Sequence, residues 1–196
     1  MYVLLPFFAL LTIGLCIRQV FKQLDLRFII LLASSFWGIL LTLLTEVLSL
    51  LKIFSQPALA ISWGVIALST GIWAAYHWKK PASTKLPRLS LLSLFHFLGI
   101  VGIAGLTGLI ALIAAPNNWD AMGYHLSRVM HWLQTDSVAF YPTNIVRQLY
   151  LPPWSEYFLA HLQSLGGSDR FSQLPQWLAM VGSVMGVSLI AKQLGA

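Results

Sequence analysis

Apolar runs long enough to cross a lipid bilayer recur along this chain and restrict it to a few folds. Residues 2–17, 57–78 and 89–115 contain no Asp, Glu, Lys or Arg, and residues 28–51 and 174–194 contain one such residue each. About 20 apolar residues span a bilayer as a helix, and inside lipid only helices and closed barrels satisfy their backbone hydrogen bonds. We therefore predict a spanning helix in each of the five runs, the first being the shortest.

The composition agrees with this prediction, because 58% of the residues are hydrophobic, 9% are charged and the mean hydropathy is +0.76. Soluble globular domains carry about 25% charged residues. The first run lacks the basic residues and the small-residue cleavage site of a signal peptide. The predicted fold class is an all-α polytopic membrane protein with about five spanning helices and an extracytoplasmic loop that carries interfacial amphipathic helices.

The basic residues predict the orientation of these helices, since Lys and Arg in short loops stay on the cytoplasmic side of a membrane. Eight of the twelve lie on one predicted side, in the stretches 18–27 and 79–88 and at Lys192. Four of the six acidic residues lie on the other side, in the segment 116–173. We expect a multi-pass protein of the plasma (inner) membrane whose segment 116–173 is extracytoplasmic. The +6 net charge then reflects topology, and no nucleic-acid partner is expected.

A basic linker at residues 79–88, with two prolines, divides the chain into two parts. Residues 1–78 hold three predicted spanning helices. Residues 89–196 form a second unit, in which a spanning helix lies on each side of the segment 116–173. Cys16 is the only cysteine, so no intrachain disulfide stabilises that segment. Zinc-ligand spacing, a P-loop, a dinucleotide-binding glycine pattern and a Gly-x-Ser-x-Gly motif are absent from the sequence, which excludes the common soluble enzyme classes.

The segment 116–173 begins with an amphipathic pattern that predicts a helix lying in the membrane interface over residues 118–133. At about 100° per residue, four polar side chains share one face: Asp120, Tyr124, Ser127 and His131. The opposite face, expected in lipid, holds Met122, Leu126, Val129, Met130 and Leu133. His125 lies at the border of the two faces, where packing or headgroup contacts are expected.

A second helix of this segment is predicted to begin after Pro152-Pro153, because proline is tolerated in a first helical turn. Its aromatic side includes His161, which we expect to pack. Glu156 faces the other way and is expected to be solvated, with a second catalytic acid as the alternative. The pair Gly166-Gly167 is predicted to end the helix.

Other acidic and histidine residues are assigned structural roles. Asp136 is interpreted as a turn residue and Asp169 as the cap of the next helix. Glu46 and His96 lie inside predicted spans, where ionisable residues are functional candidates by default. Glu46 is close enough in sequence to pair with Lys52, so a structural role is preferred for it as well.

The order of motifs between residues 89 and 194 resembles the glycosyltransferase-C superfamily of multi-pass enzymes that take a sugar from a polyprenyl-phosphate donor. In that family a spanning helix leads to an acidic Asp-Glu-x-x-Tyr motif, then a surface helix, then a Pro-Pro pair. Here Asp120 and Tyr124 keep the spacing of the motif, Ala121 replaces its second acid, and Pro152-Pro153 supplies the pair. The resemblance is closest to the bacterial and protein-mannosyltransferase-like branches.

The resemblance implies transfer of a sugar with inversion at its anomeric carbon. Asp120 would be the base that removes the acceptor hydroxyl proton, or a ligand to a divalent metal, Mg²⁺ or Mn²⁺, that stabilises the departing phosphate. Tyr124 and His131 are candidates for positioning donor or acceptor, and Arg128 and Arg147 for binding the phosphate. The expected partners are the bilayer, the polyprenyl-phosphate-linked sugar and a glycan, lipid or protein acceptor.

Residue chemistry alone leaves alternatives open. Asp120 can also be an acid that the helix dipole favours at a helix N-terminus. Tyr124 can also be an interfacial anchor. Arg128 and Arg147 can also contact lipid phosphates in general. The competing function is a non-enzymatic multi-pass membrane protein, a scaffold or transporter fragment, whose outside segment docks a partner. Because the family's enzymes have more spanning helices, the chain is expected to be the N-terminal part of a longer enzyme. Whether this part is active or inactive by itself is left open by the sequence.

Overall fold

The computed structural model describes residues 2–78, 90–114 and 116–195, and all regular elements in these ranges are helical. Three long helices come first: α1 (Leu5–Val20), α2 (Leu26–Leu50) and α3 (Gln56–Tyr76). The linker 79–88 lies outside the described residues. The second unit comprises α4 (Leu91–Ile113), a π-helical turn (Ala121–His125), α5 (Leu126–Thr135), α6 (Arg147–Tyr150), α7 (Trp154–Gly166), a 3₁₀ turn (Asp169–Phe171) and α8 (Leu174–Gln193).

Helices form in all five predicted apolar runs, with ends that differ from the expected ones by at most three residues. Four helical stretches are long and apolar enough to cross a membrane: α2, α3, α4 and Asp169–Gln193. This makes the chain an all-helical membrane protein in the part that the structure describes. The fifth run, α1, has only 16 residues and is shorter than a full span, which needs about 20.

The core lies where α1, α2, α3 and α7 meet, and Trp37 of α2 is at its centre. Its ring stacks on Trp63 with 5.7 Å between centroids and meets Phe158 edge-on at 4.9 Å. The buried indole N–H donates to the carbonyl of Pro6 at 2.8 Å, so the polar atom of this large side chain is satisfied. These contacts join four helices through one residue.

Helix α7 is buried on all sides, which differs from the predicted surface-lying helix. Every residue from Glu156 to Gln163 is buried, and so is Leu165. The helix begins at Trp154, directly after the two prolines, and Gly167 ends it in the left-handed conformation at φ 72°. The predicted boundaries are therefore confirmed, while the prediction of a solvated face is wrong because α5 covers one side of α7 and α2 and α3 cover the other.

The two ends of the helical bundle differ in chemistry. The segment 116–173 lies at one end, where the Tyr2 N–H donates to Leu165 and the Phe54 N–H donates to Asp136, each at 3.2 Å. At the other end Asp25 caps α2 and accepts from Arg27 and from Lys192 of α8, both at 2.9 Å. These hydrogen bonds hold the pKa of Asp25 well below its usual range. The basic residues of α2 and α8 thus gather opposite the segment 116–173, as the predicted orientation requires.

Helices α4 and α8 pair at the edge of the molecule through Trp177. Its indole N–H donates to Ala104 at 2.9 Å, and its ring lies against Gly108 of α4. A Cβ at Gly108 would be 3.0 Å from that ring, so the two helices approach closely only because this residue is glycine. The end of α4 is fixed as well, since Gln173 donates to Ala114 at 2.9 Å and Arg170 to Leu112 at 3.1 Å.

Candidate functional site

The chain enters the predicted interfacial helix through a π-helical turn that the sequence did not predict. Asn118 caps this entry, since its side-chain oxygen accepts from the Ala121 N–H at 2.7 Å. The Leu126 N–H then reaches back five residues to the Ala121 carbonyl. Helical turns of this kind are rare and occur frequently at functional sites. The only local signal is Gly123, whose missing Cβ would be 3.4 Å from the Trp119 ring.

The π-helical turn changes which side chains share a face. In an α-helix residues five apart differ by about 140°, whereas in a π-helical turn they are joined by a backbone hydrogen bond. Asp120 and His125 accordingly line the same open groove, of about 550 Å³. Side-chain amides of Asn117, Asn118 and Gln173 also line it. The groove lies between the end of α4, the beginning of α8 and helices α5 and α7.

Two of the five predicted site residues, Asp120 and Arg147, come together, and Asp120 is the one that lines the groove. Arg147 Nη1 is 3.8 Å from Asp120 Oδ1, across 27 positions of sequence. Both side chains remain more than half exposed, at 56% for Arg147 and 65% for Asp120, so water screens their attraction. A carboxylate and a guanidinium are therefore available together to a molecule that enters from the solvent or the interface.

Arg128 is not available to a substrate phosphate, and this prediction is wrong. Its side chain is only 2% exposed, and its guanidinium donates to the carbonyls of Arg147, Gln148 and Leu151. A further N–H donates to Glu156 at 3.0 Å. The guanidinium N–H groups thus bind the backbone carbonyls of α6 and of the residue before the two prolines, which is a structural role.

Glu156 is not solvated, contrary to the sequence prediction, because it is fully buried between α5 and α7. Its Oε1 accepts from Arg128 and, at 2.9 Å, from His125 Nδ1. Its Oε2 accepts from the Ser155 hydroxyl at 2.7 Å. A buried carboxylate requires such partners, since burial of an unpaired charge costs several kcal/mol. Periodicity placed Glu156 away from the aromatic side but could not indicate that α5 covers it.

Tyr124 and His131 do not line the groove beside Asp120. The Tyr124 ring lies against His125, with 4.0 Å between centroids. His131 stacks on Tyr141 of the loop that follows α5, also at 4.0 Å. The roles predicted for these two residues in positioning a substrate at Asp120 are therefore not supported by their placement.

The apolar side chains of α5 and the turn before it were predicted to lie in lipid, but some of them are buried in the protein core and others are exposed. Leu126 and Val129 are buried in the core against α7, at 8% and 0% exposure. Met122 and Met130, at 58% and 48%, point outward as predicted. The helix is amphipathic, but its apolar side mainly covers α7.

Gln148 holds the loop between α5 and α7 against the π-helical turn. Its amide nitrogen donates to the Ser127 hydroxyl at 2.7 Å and to the Gly123 carbonyl at 3.3 Å. Its oxygen accepts from the hydroxyls of Tyr141 and Thr143, at 2.9 and 3.0 Å. This buried side chain fixes the position of the neighbouring Arg147.

A second cavity, of about 560 Å³, is lined by Arg128 together with Glu46, Lys52 and Tyr157. The Tyr157 hydroxyl donates to Glu46, so the predicted pairing of Glu46 with Lys52 is replaced by a bond to α7. Burial, followed by the bond to this carboxylate, raises the pKa of Tyr157. Among the described residues His96, the other ionisable candidate of the spans, contacts only groups of its own helix, namely the Leu92 carbonyl and the Phe95 ring.

His161 packs in the core, as predicted, and is neutral. The Trp63 indole N–H donates to its Nδ1 at 2.9 Å, so Nε2 carries the hydrogen and donates to Thr45 at 2.9 Å. Burial lowers the pKa of His161 to about 3. Asp136, the predicted turn residue, ends α5 in the left-handed conformation at φ 50°, whereas Asp169 makes no side-chain cap for the helix that follows.

The described residues do not surround Asp120 with a metal-ligand set. No group of three or more His, Cys, Asp or Glu side chains in residues 2–78, 90–114 and 116–195 is arranged to hold a metal ion. His125, the other such side chain of the groove, is bonded to Glu156 through Nδ1.

Comparison of the chain with protein-family models, with curated proteins and with solved structures finds no match. A function must therefore be argued from the groove itself and from the motifs in the sequence.

Proposed function

We propose that this chain belongs to a membrane glycosyltransferase that moves a sugar from a polyprenyl-phosphate donor to an extracytoplasmic hydroxyl acceptor with inversion. The observation that carries the proposal is the exposed pair Asp120 and Arg147, 3.8 Å apart, of which Asp120 lines the groove. Asp120 lies only seven residues after α4, a helix long and apolar enough to span the membrane, and Arg147 is brought to it by the fold. A lipid-linked substrate with its tail in the bilayer would present its phosphate at that depth.

The two side chains fit opposite halves of the reaction. The Asp120 carboxylate accepts the proton of the attacking hydroxyl while the acceptor oxygen bonds to the anomeric carbon. The bond from that carbon to the phosphate oxygen breaks, and its electron pair stays on the phosphate. The Arg147 guanidinium stabilises the added negative charge. Arg147 thus keeps the phosphate-binding role proposed from sequence, while Arg128 orders the backbone around it.

A charge-removing variant of Asp120 tests this function. In the full-length enzyme, Asp120→Asn keeps shape and hydrogen bonding but removes the base, so sugar transfer should fall by about two to four orders of magnitude. The measurement is transfer of radiolabelled sugar from a polyprenyl-phosphate donor in membranes at matched expression.

Asp136→Asn is the matched control, because asparagine also accepts the left-handed conformation that Asp136 adopts. Transfer by this variant should stay close to that of the unmodified protein. Normal transfer by Asp120→Asn would contradict the assignment of the base. No transfer by membranes of the unmodified full-length protein, with any tested donor, would favour a scaffold or transporter.

A further inference from the structure

His125 lies beside Asp120 in the groove, and a buried carboxylate holds its ring. Nδ1 of His125 is 2.9 Å from Glu156 Oε1, and the His125 side chain is 30% exposed while that of Glu156 is fully buried. The same carboxylate accepts from Arg128 and from Ser155. An acceptor of this kind leaves only one direction for the bond with His125, in which Nδ1–H donates.

This bond determines what His125 presents to the groove. A neutral imidazole that donates from Nδ1 carries a lone pair at Nε2. Nδ1 is bonded to buried Glu156, and the 30% exposed ring lines the groove, so we assign the Nε2 side of the ring to the groove. A fixed lone pair accepts a hydrogen bond from a hydroxyl group, and the amides of Asn117, Asn118 and Gln173 around it can donate to or accept from further hydroxyls.

We propose that His125 Nε2 accepts a hydrogen bond from a hydroxyl of the sugar on the donor, and that Glu156 is a positioning residue that fixes the tautomer. This inference rests on the proposed function and deepens it. In the proposed function Arg147 binds the donor phosphate 3.8 Å from Asp120, so a sugar joined to that phosphate would lie beside Asp120, in the groove that His125 also lines. A site that accepts from a particular hydroxyl discriminates strongly against an analogue that lacks it.

Two substitutions separate this role from a merely structural one. His125→Asn places an amide near the Nδ1 position, so it can keep the bond to Glu156 while leaving nothing at the Nε2 position. His125→Gln reaches farther and can place its oxygen close to the Nε2 position. If His125 only joined α5 to α7, the asparagine variant would be the better replacement.

The experiment measures binding to the full chain in lipid nanodiscs. The probes are polyprenyl-phosphate glucose, mannose and galactose, with unsubstituted polyprenyl phosphate as the reference. At least one hexose form should bind more tightly than the reference. For that form, His125→Asn should raise Kd about tenfold, as expected for loss of one hydrogen bond, while His125→Gln retains most of the affinity. Binding of the reference should be unchanged in both variants.

Deoxy analogues extend the test without relying on the stability of a variant. In the unmodified protein, one monodeoxy form of the preferred hexose should bind about tenfold more weakly than the hexose itself. In His125→Asn, the hexose and that deoxy form should bind with equal affinity, because the hydrogen bond is already lost. Three results would overturn the inference. His125→Asn could bind every probe as the unmodified protein does, or the unmodified protein could show no preference for any hexose form over the reference. Lastly, His125→Asn could still bind the hexose more tightly than every deoxy analogue that the unmodified protein disfavours.

The transfer assay keeps this inference distinct from the proposed function. Transfer that requires Asp120 but is unaffected by His125→Asn would overturn the role of His125 and leave the glycosyltransferase standing. If the sugar probes bind through His125 but membranes show no transfer, the role of His125 in sugar binding stands and the glycosyltransferase function is contradicted.

Discussion

At the scale of single residues, the buried ion pair of Arg128 and Glu156 is the strongest departure from what helical periodicity predicts. The sequence predicts that Glu156 is solvated and that Arg128 is free to bind phosphate, yet the two side chains are 0% and 2% exposed and 3.0 Å apart. Each is 28 positions from the other in sequence. Their charges are tolerated in the interior only because each neutralises the other and backbone carbonyls take the remaining donors.

Removal of either charge should therefore destabilise the fold. We expect Glu156→Gln to lower the free energy of unfolding by about 3–5 kcal/mol, because Arg128 then stays buried without a counter-charge. The double variant Arg128→Met/Glu156→Gln should lose less than the sum of the two single variants, since it leaves no lone charge. Unfolding by a denaturing detergent measures this. As a control, Asp169→Asn, at an exposed position, should change the free energy of unfolding by less than about 0.5 kcal/mol. If the loss in the double variant equals the sum of the losses in the two single variants, the coupling between Arg128 and Glu156 is refuted.

The buried His161 predicts a dependence of stability on pH. Its pKa is about 3 in the folded state and near 6.5 in the unfolded chain, so the unfolded state binds more protons between these values. Stability is complete above pH 6.5 and is lost as the pH falls toward 3, by up to about 1.4 kcal/mol per pH unit. Thermal unfolding between pH 7 and 4 measures the slope. His161→Gln should flatten it, whereas His96→Gln, at an exposed site, should not.

At the scale of elements, boundaries were easier to predict than faces. The prolines and glycines that flank α7 act through the local backbone, so the sequence around them is sufficient. The π-helical turn before α5 also depends on a distant group, since Gln148, 25 positions along the chain, donates to the Gly123 carbonyl beside the local Ser127 hydroxyl. This turn moves His125 from the border of the helix into the groove, and a uniform angle of about 100° per residue misses that change.

The pairing of α4 with α8 gives a prediction for an element contact. Gly108→Val should separate the helices or distort α4, because its Cβ would be 3.0 Å from the Trp177 ring. Gly105→Val is the matched control, one turn away, where nothing lies within 4 Å of the added Cβ. The melting temperature and the exposure of Trp177 fluorescence to a lipid-soluble quencher should change in the first variant only. Equal behaviour of the two would show that this close approach is absent.

At the scale of the whole molecule, the helix order places the segment 116–173 at one end of the bundle and the Asp25, Arg27 and Lys192 cluster at the other. The distribution of basic residues predicts that the first end is extracytoplasmic. The structure supports the separation of the ends. Which side of the membrane each end faces remains a prediction.

Cysteine labelling tests this topology. In a Cys16→Ser background, Asn144→Cys and Gln23→Cys place thiols at exposed positions on opposite ends, and serine can keep the hydrogen bond that Cys16 donates to Thr70. A membrane-impermeant thiol reagent should label position 144 in intact cells and position 23 only after permeabilisation. Labelling of position 23 in intact cells would reverse the orientation.

The sequence by itself determined the helical membrane class, the five apolar helices, the limits of α7 and the place of Asp120 just after α4. These features follow from local composition, because chain length, hydropathy, proline and glycine act within a few residues. Only the tertiary structure decided that Arg128 and Glu156 are buried, that Arg147 approaches Asp120 and that His125 joins the groove. Those outcomes depend on which surface covers each face, and the covering groups come from parts of the chain tens of residues away.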